Sequence, residues 1–166
     1  EVLWIHKLAE PERESFWTSA QVATSALSPA RRKALEIRDI PVVDAVAKHR
    51  PQLLVASKGQ LYTQIDQKLS GQRHYREQDS GFVPGKEIEH YLSSHRERLT
   101  WGDLLAISMA IDALEMPQVR QHLFHFADRD FVDETTEYGG ILDLDESGRF
   151  NVREFPPRMR VHDRRF

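Results

Sequence analysis

Glu137-Tyr138-Gly139-Gly140-Ile141-Leu142-Asp143-Leu144-Asp145-Glu146-Ser147-Gly148-Arg149-Phe150-Asn151-Val152-Arg153-Glu154 supports two incompatible structures. As a twelve-residue loop beginning at Asp143, it sets oxygen-bearing side chains at positions 1, 3, 5, 9 and 12 and glycine at 6, the spacing that surrounds a hard cation. As a hairpin, Ile141 to Asp145 and Arg149 to Phe155 are strands of similar length, joined by Glu146-Ser147-Gly148 with glycine where positive φ is needed. Leu142 and Leu144 then share one face, as do Phe150 and Val152. The flanks favour the hairpin. Gly139-Gly140 before the loop and Pro156-Pro157 after it are poor helix material, and a calcium loop of the EF-hand type needs a helix on each side. The prolines are expected to end the second strand and to prevent pairing beyond it. Under the calcium alternative the ligands are Asp143, Asp145, Ser147, the Arg149 carbonyl, Asn151 and Glu154, with Phe150 at the usual apolar eighth position.

Upstream of this stretch the chain reads as helical. Ser28-Pro29 is a start signal, and Ile40-Pro41 closes that helix and opens another over Val42 to His49. Pro11 starts a segment whose Phe16, Trp17, Ala20 and Ala23 fall near helical spacing, an aromatic face expected to be core. Leu53 to Ser57 and Gln60 to Ile65, around Lys58-Gly59, read as a small hairpin because Leu61, Thr63 and Ile65 alternate, with a helix nearly as well supported. Between Ser70 and Gly85 apolar content falls, and an internal seam is placed there. Ile88, Tyr91, Leu92, His95 and Leu99 repeat at helical spacing. Thr100-Trp101-Gly102-Asp103 resembles a capping box, so a helix is predicted from Trp101 to about Met116, followed by one from Pro117 with Val119, Leu123 and Phe126 on one face. The expected class is α+β: mainly α-helical, built of helix pairs, with a C-terminal β-hairpin. A helical domain over 1–130 precedes a segment over 131–166 comprising the hairpin and an Arg-rich tail.

Composition removes several function classes. The 166 residues carry a net charge of -3 and no cysteine. A general nucleic-acid binder needs a basic excess, and without cysteine there is no disulfide framework, thiolate metal site or thiol nucleophile. No apolar run approaches the roughly 20 residues that cross a bilayer. The expectations are a soluble, cytoplasmic chain with a protein partner and neither nucleic acid nor membrane. No Gly-rich phosphate loop follows a strand, and Ser93-Ser94-His95 lacks the separation a triad requires. His122, His125, Asp128 and Asp130 could approach a zinc ion from one helix, but His122 shares the stripe of Val119 and Phe126, so a packed histidine with one hydrogen-bond partner is the preferred reading. From Asp128 to Glu146 acids face only Arg129, and from Arg149 to Arg165 arginines face only Glu154 and Asp163. Pairing between these two segments is expected.

Thr136-Glu137-Tyr138-Gly139-Gly140-Ile141-Leu142, followed by a hairpin, resembles the opening of JAMM (MPN-type) metallopeptidase domains. In that family a His-x-His pair and a downstream Asp bind zinc, and a Glu beside the first strand deprotonates the metal-bound water that attacks an amide or isopeptide carbonyl. By match to the motif, Glu137 would be that base. The resemblance covers about 30 of the 166 residues. No His-x-His follows Leu142, so the resemblance implies zinc ligands beyond Phe166 and an inactive chain as it stands. Val2-Leu3-Trp4-Ile5 begins in mid-pattern and Arg164-Arg165-Phe166 lacks a closing element, which fits a fragment. The remaining possibility is a helical scaffold that docks a partner without any ion.

Overall fold

Short sequence signals set where the helices begin, and the computed structural model describes the outcome for residues 10–70, 92–133 and 135–159. Helix α1 spans Glu10–Ser25. Ser28 then accepts a hydrogen bond from the Arg31 N–H at 3.3 Å, and with Pro29 at the first position starts α2, Pro29–Ala34. That helix stops well before Ile40. Glu36 and Asp39 hold each other's backbone in a reciprocal box around a 3-10 turn, Ile37–Asp39, and α3 follows at Ile40–His49 with Pro41 in its first turn. After α4, Gln52–Val55, the Ser57 hydroxyl accepts from the Gln60 N–H at 3.2 Å while Gln60 Oε1 accepts from the Ser57 N–H at 2.8 Å. This box starts α5, Lys58–Leu69, so the hairpin expected around Lys58-Gly59 is a helix. Leu61 and Ile65, read as alternating, are four apart and share one buried helix face.

Leu92–His95 is a 3-10 turn in place of the helix expected through Leu99; Ile88 and Tyr91 lie outside the described residues, as does the seam apart from Ser70. Thr100 and Asp103 form the anticipated box, Thr100 N–H to Asp103 Oδ2 at 2.7 Å and Asp103 N–H to Thr100 Oγ1 at 3.1 Å. It opens α6, Trp101–Glu115, and Pro117 opens α7, Pro117–Val132. Strands β1 (Thr136–Glu137), β2 (Gly140–Leu144), β3 (Phe150–Glu154) and β4 (Arg158–Met159) follow. Antiparallel β2 and β3 form the expected hairpin with Leu142 opposite Val152 and Leu144 opposite Phe150. Gly148 takes the left-handed conformation at φ 78° that closes its turn. Beyond Pro156-Pro157 the chain does pair again, β4 lying against β1 with Glu137 opposite Arg158. The prolines end β3 but only redirect the chain. Among the described residues no helix is long and apolar enough to cross a membrane.

Two compact units divide within α6, at Ser108 and Met109. In the first, α1 packs most extensively on α3, and its Ala20 and Ala23 are buried in a core that includes Val43, Val46, Leu61, Ile65, Leu104 and Leu105. Small residues let the helices approach; the aromatic pair does not fill the core. Trp17 is 45% exposed, and its ring meets Phe16 edge-on at 5.1 Å. Asp44, buried, accepts from the Ser19 hydroxyl at 2.5 Å and pairs with Lys48 at 2.7 Å, so its charge is satisfied. Arg31 caps α4 by donating to the carbonyls of Leu54 and Ala56, and its guanidinium lies 4.8 Å over the Trp101 ring, whose indole N–H donates to the Ala56 carbonyl at 3.0 Å. In the second unit the buried apolar residues include Met109, Ile111, Ala113, Val119 and Phe150, and α7 packs on β3.

Candidate functional site

Asp145 organises the hairpin turn. One of its carboxylate oxygens accepts from the Ser147 N–H at 2.9 Å, the Ser147 hydroxyl at 2.6 Å and the Arg149 N–H at 2.9 Å; the other accepts from the Asn151 amide at 3.2 Å. The Ser147 hydroxyl, then the Arg149 N–H, hold this carboxyl far below the usual carboxylate range. The Arg149 carbonyl, a ligand in the calcium alternative, accepts from the Asp145 N–H at 3.0 Å. Asp143 pairs with Arg153 at 3.0 Å, and Glu154 reaches Arg129 at 3.4 Å and His122 Nδ1 at 3.4 Å. The structure therefore gathers Asp145, Ser147 and Asn151 around one another, and turns Asp143 and Glu154 toward cationic side chains. Strands flank the loop on both sides. Among the described residues no group of three or more His, Asp or Glu side chains is arranged to hold a metal ion, including those around His122, His125, Asp128 and Asp130.

The turn makes a prediction. A carboxyl whose folded value is depressed stabilises the fold above its unfolded value, here near 3.8, and that contribution is lost as pH falls through the folded value. Amide exchange at Ser147 and Arg149 is expected to keep the same protection from neutrality down to about pH 4. Asp145→Ala removes the shared acceptor, so protection at both amides should collapse at every pH. Protection surviving in the variant would show that the backbone alone holds the turn.

Glu137 sits exposed on the edge strand β1. Arg149 and Arg153 on the neighbouring hairpin pair with Asp145 at 3.7 Å and with Asp143. Nearby, Asp133 accepts from the Thr135 N–H at 3.0 Å and from the Tyr138 hydroxyl at 3.2 Å, and hydroxyls of Thr135 and then Thr136 lower its carboxyl to about 2. The Tyr138 ring carries the Arg129 guanidinium at 4.1 Å. A polar chain thus runs Asp133, Tyr138, Arg129, Glu154, His122, and His122 also lies 6.4 Å from Phe126. His122 pairs with Glu154 while its side chain stays 40% exposed.

Helix α7 carries large apolar side chains on more than one side. Toward β3, α7 presents polar groups beside buried Val119, whereas outward it presents Phe124 at 69%, Phe131 at 85% and Val132 at 85% exposure. Leu123, expected inside with Val119, is 46% exposed. Below this ridge an open groove of about 820 Å³ is lined by residues that include Pro117, Arg120, His122, Phe124, His125 and Glu154. Exposed aromatics of this size gathered on one element mark interaction surfaces more often than isolated apolar residues do.

The chain matches no family model, no curated protein and no solved structure. Phe124 and Phe131 had no place in the sequence reading. Their signal is the spacing of Phe124, Ala127 and Phe131, three and then four apart, on the side of the helix opposite Val119.

Proposed function

We propose that this chain acts by binding protein, with the outward face of α7 as its docking surface. The observation that carries this reading is the exposure of Phe124, Phe131 and Val132 on a helix whose other face is fixed to β3 by the Glu154 pairs with Arg129 and His122. An anchored helix loses little conformational freedom on docking, so apolar area buried there converts efficiently into affinity. Aromatic residues are the side chains that dominate such contacts.

Photo-crosslinking tests the proposal. A photoreactive residue at position 124 or 131 is expected to capture protein well above a control at Glu14 on α1, and a captured partner, purified, should bind the full chain and be released by the double change Phe124→Asp, Phe131→Asp. Both side chains are exposed, so that variant should keep its unfolding free energy to within about 0.5 kcal/mol. Capture at 124 and 131 no greater than at the control would end this reading.

A further inference from the structure

We infer that the occupant of the α7 ridge is the α7 of a second copy of this chain, packed antiparallel. This inference rests on the docking role proposed above and names its partner.

Arg120, Phe124, Ala127 and Phe131 follow one another at intervals of four, three and four, the alternation that keeps a seam on one side of a helix facing a neighbour. In an antiparallel pair related by a two-fold axis, each residue of the seam meets the one equally far from the axis on the other helix. With the axis between Phe124 and Ala127, Phe124 meets Ala127 of the second copy and Arg120 meets Phe131. The large ring enters the space a small residue leaves, twice, and a guanidinium lies against an exposed ring, twice. Every layer pairs unlike residues that fit.

Charge supplies an independent reason for the antiparallel sense. On its outward face α7 has Arg120 near its start and Asp128 near its end, and neither holds an ion pair among the described residues. Its first turn contains no acid. This is the reverse of what a helix dipole favours, so each charge is unfavourable on an isolated helix. An antiparallel copy lays its Asp128 beside Arg120 and the helix start, and its own Arg120 beside Asp128. A parallel copy would set like charges together. Gln121, next to Arg120, faces Asp128 of the second copy across the same flank and can donate to it.

The contact is small. Two rings at 150–250 Å² each, largely exposed, with Ala127 and the Arg120 stem, bury roughly 400 Å² per copy, about half of a standard interface. The dimer is therefore transient, with a dissociation constant on the order of 10–1,000 μM.

Sedimentation of the full chain across that range is the first readout. A concentration-dependent shift from monomer to dimer is expected, abolished by Phe124→Arg and separately by Ala127→Trp, which fills the space reserved for the opposing ring while altering an exposed position. Orientation is read by cysteine, since the chain has none of its own. Under mild oxidation a mixture of Gln121→Cys and Asp128→Cys chains should cross-link to each other several-fold more than either variant does alone. Preferential cross-linking of Gln121→Cys to itself would overturn the antiparallel arrangement. A chain that stays monomeric at the highest concentration while position 124 or 131 captures other proteins would overturn the second copy and leave the docking role standing. Monomer with no capture at all would remove both.

Discussion

Leu61→Ala is expected to lower the stability of the N-terminal unit by about 2–5 kcal/mol, read as a fall in the urea midpoint without a change in slope. Leu61 is wholly buried, one helical turn from Ile65, and the same core includes Val43, Val46, Leu104 and Leu105. Deleting its methyls forfeits transfer free energy and leaves a cavity whose walls belong to helices fixed by their own caps. Three reciprocal boxes, at Glu36, Ser57 and Thr100, hold the starts of segments in this unit. Relaxation into the cavity is correspondingly limited, which places the cost toward the upper part of the range. A loss below about 1 kcal/mol would mean that the core around Leu61 closes freely.

Gly102→Ala is expected to destabilise by about 1–3 kcal/mol, although glycine to alanine inside a helix ordinarily stabilises by about 1 kcal/mol. The sign is inverted by Asp39. A Cβ at position 102 would run into the Asp39 carboxyl, with Oδ2 at 2.7 Å and Cγ and Oδ1 nearer still. Asp39 is buried, and Oδ2 accepts from the Glu36 N–H at 2.8 Å. Moving that carboxyl aside breaks the box that starts the 3-10 turn and strands a buried acceptor, a cost of about 1–3 kcal/mol by itself. Gly59 is the matched control. A Cβ there meets nothing within 4 Å, so Gly59→Ala in α5 should stabilise by about 0.5–1 kcal/mol. Parallel denaturant curves of the two variants give opposite displacements if Asp39 is the cause, and displacements of the same sign if it is not.

Local signals were legible in the sequence to the extent that nothing competed with them. Thr100 and Asp103 were read as a box, and they are one. Ser57 and Gln60 have the same spacing but enclose Lys58-Gly59, which also reads as a turn, and Leu61, Thr63 and Ile65 satisfy a period of two as well as a pair four apart. The local cap and the burial of Leu61 with Ile65 decided for the helix. The mainly helical class and the hairpin were recoverable, because the glycines and prolines around residues 139–157 exclude helix whatever surrounds them. Phe16 and Trp17 misled because size suggests core, whereas the α1 contact with α3 is set by how closely two backbones approach.

The surface of α7 was not legible for a different reason. Its inward face is held by Glu154, 25 residues from Arg129, and by Tyr138 over Arg129. No period in the helix itself reveals that its polar residues face a strand. Val119, Leu123 and Phe126 share a spacing that suggests one apolar side, yet Leu123 is exposed. Only the position of β3 shows that the large rings, Phe124 and Phe131, lie on the side left open.

The junction of Arg31, Ala56 and Trp101 also fixes an order of events during synthesis. The indole donates to a carbonyl 45 residues earlier in the chain. At translation rates of about 5–20 residues per second, roughly 2–9 seconds separate the appearance of the acceptor from that of its donor. At the start of that interval the nascent chain holds α1 to α4, and α5 is complete only after Leu69; until α6 is made, both lack the ring that lies against Arg31 and the Leu104 and Leu105 that complete the core. The N-terminal helices are thus committed to waiting, and their apolar faces are open to chaperones for as long as the ribosome takes to reach α6.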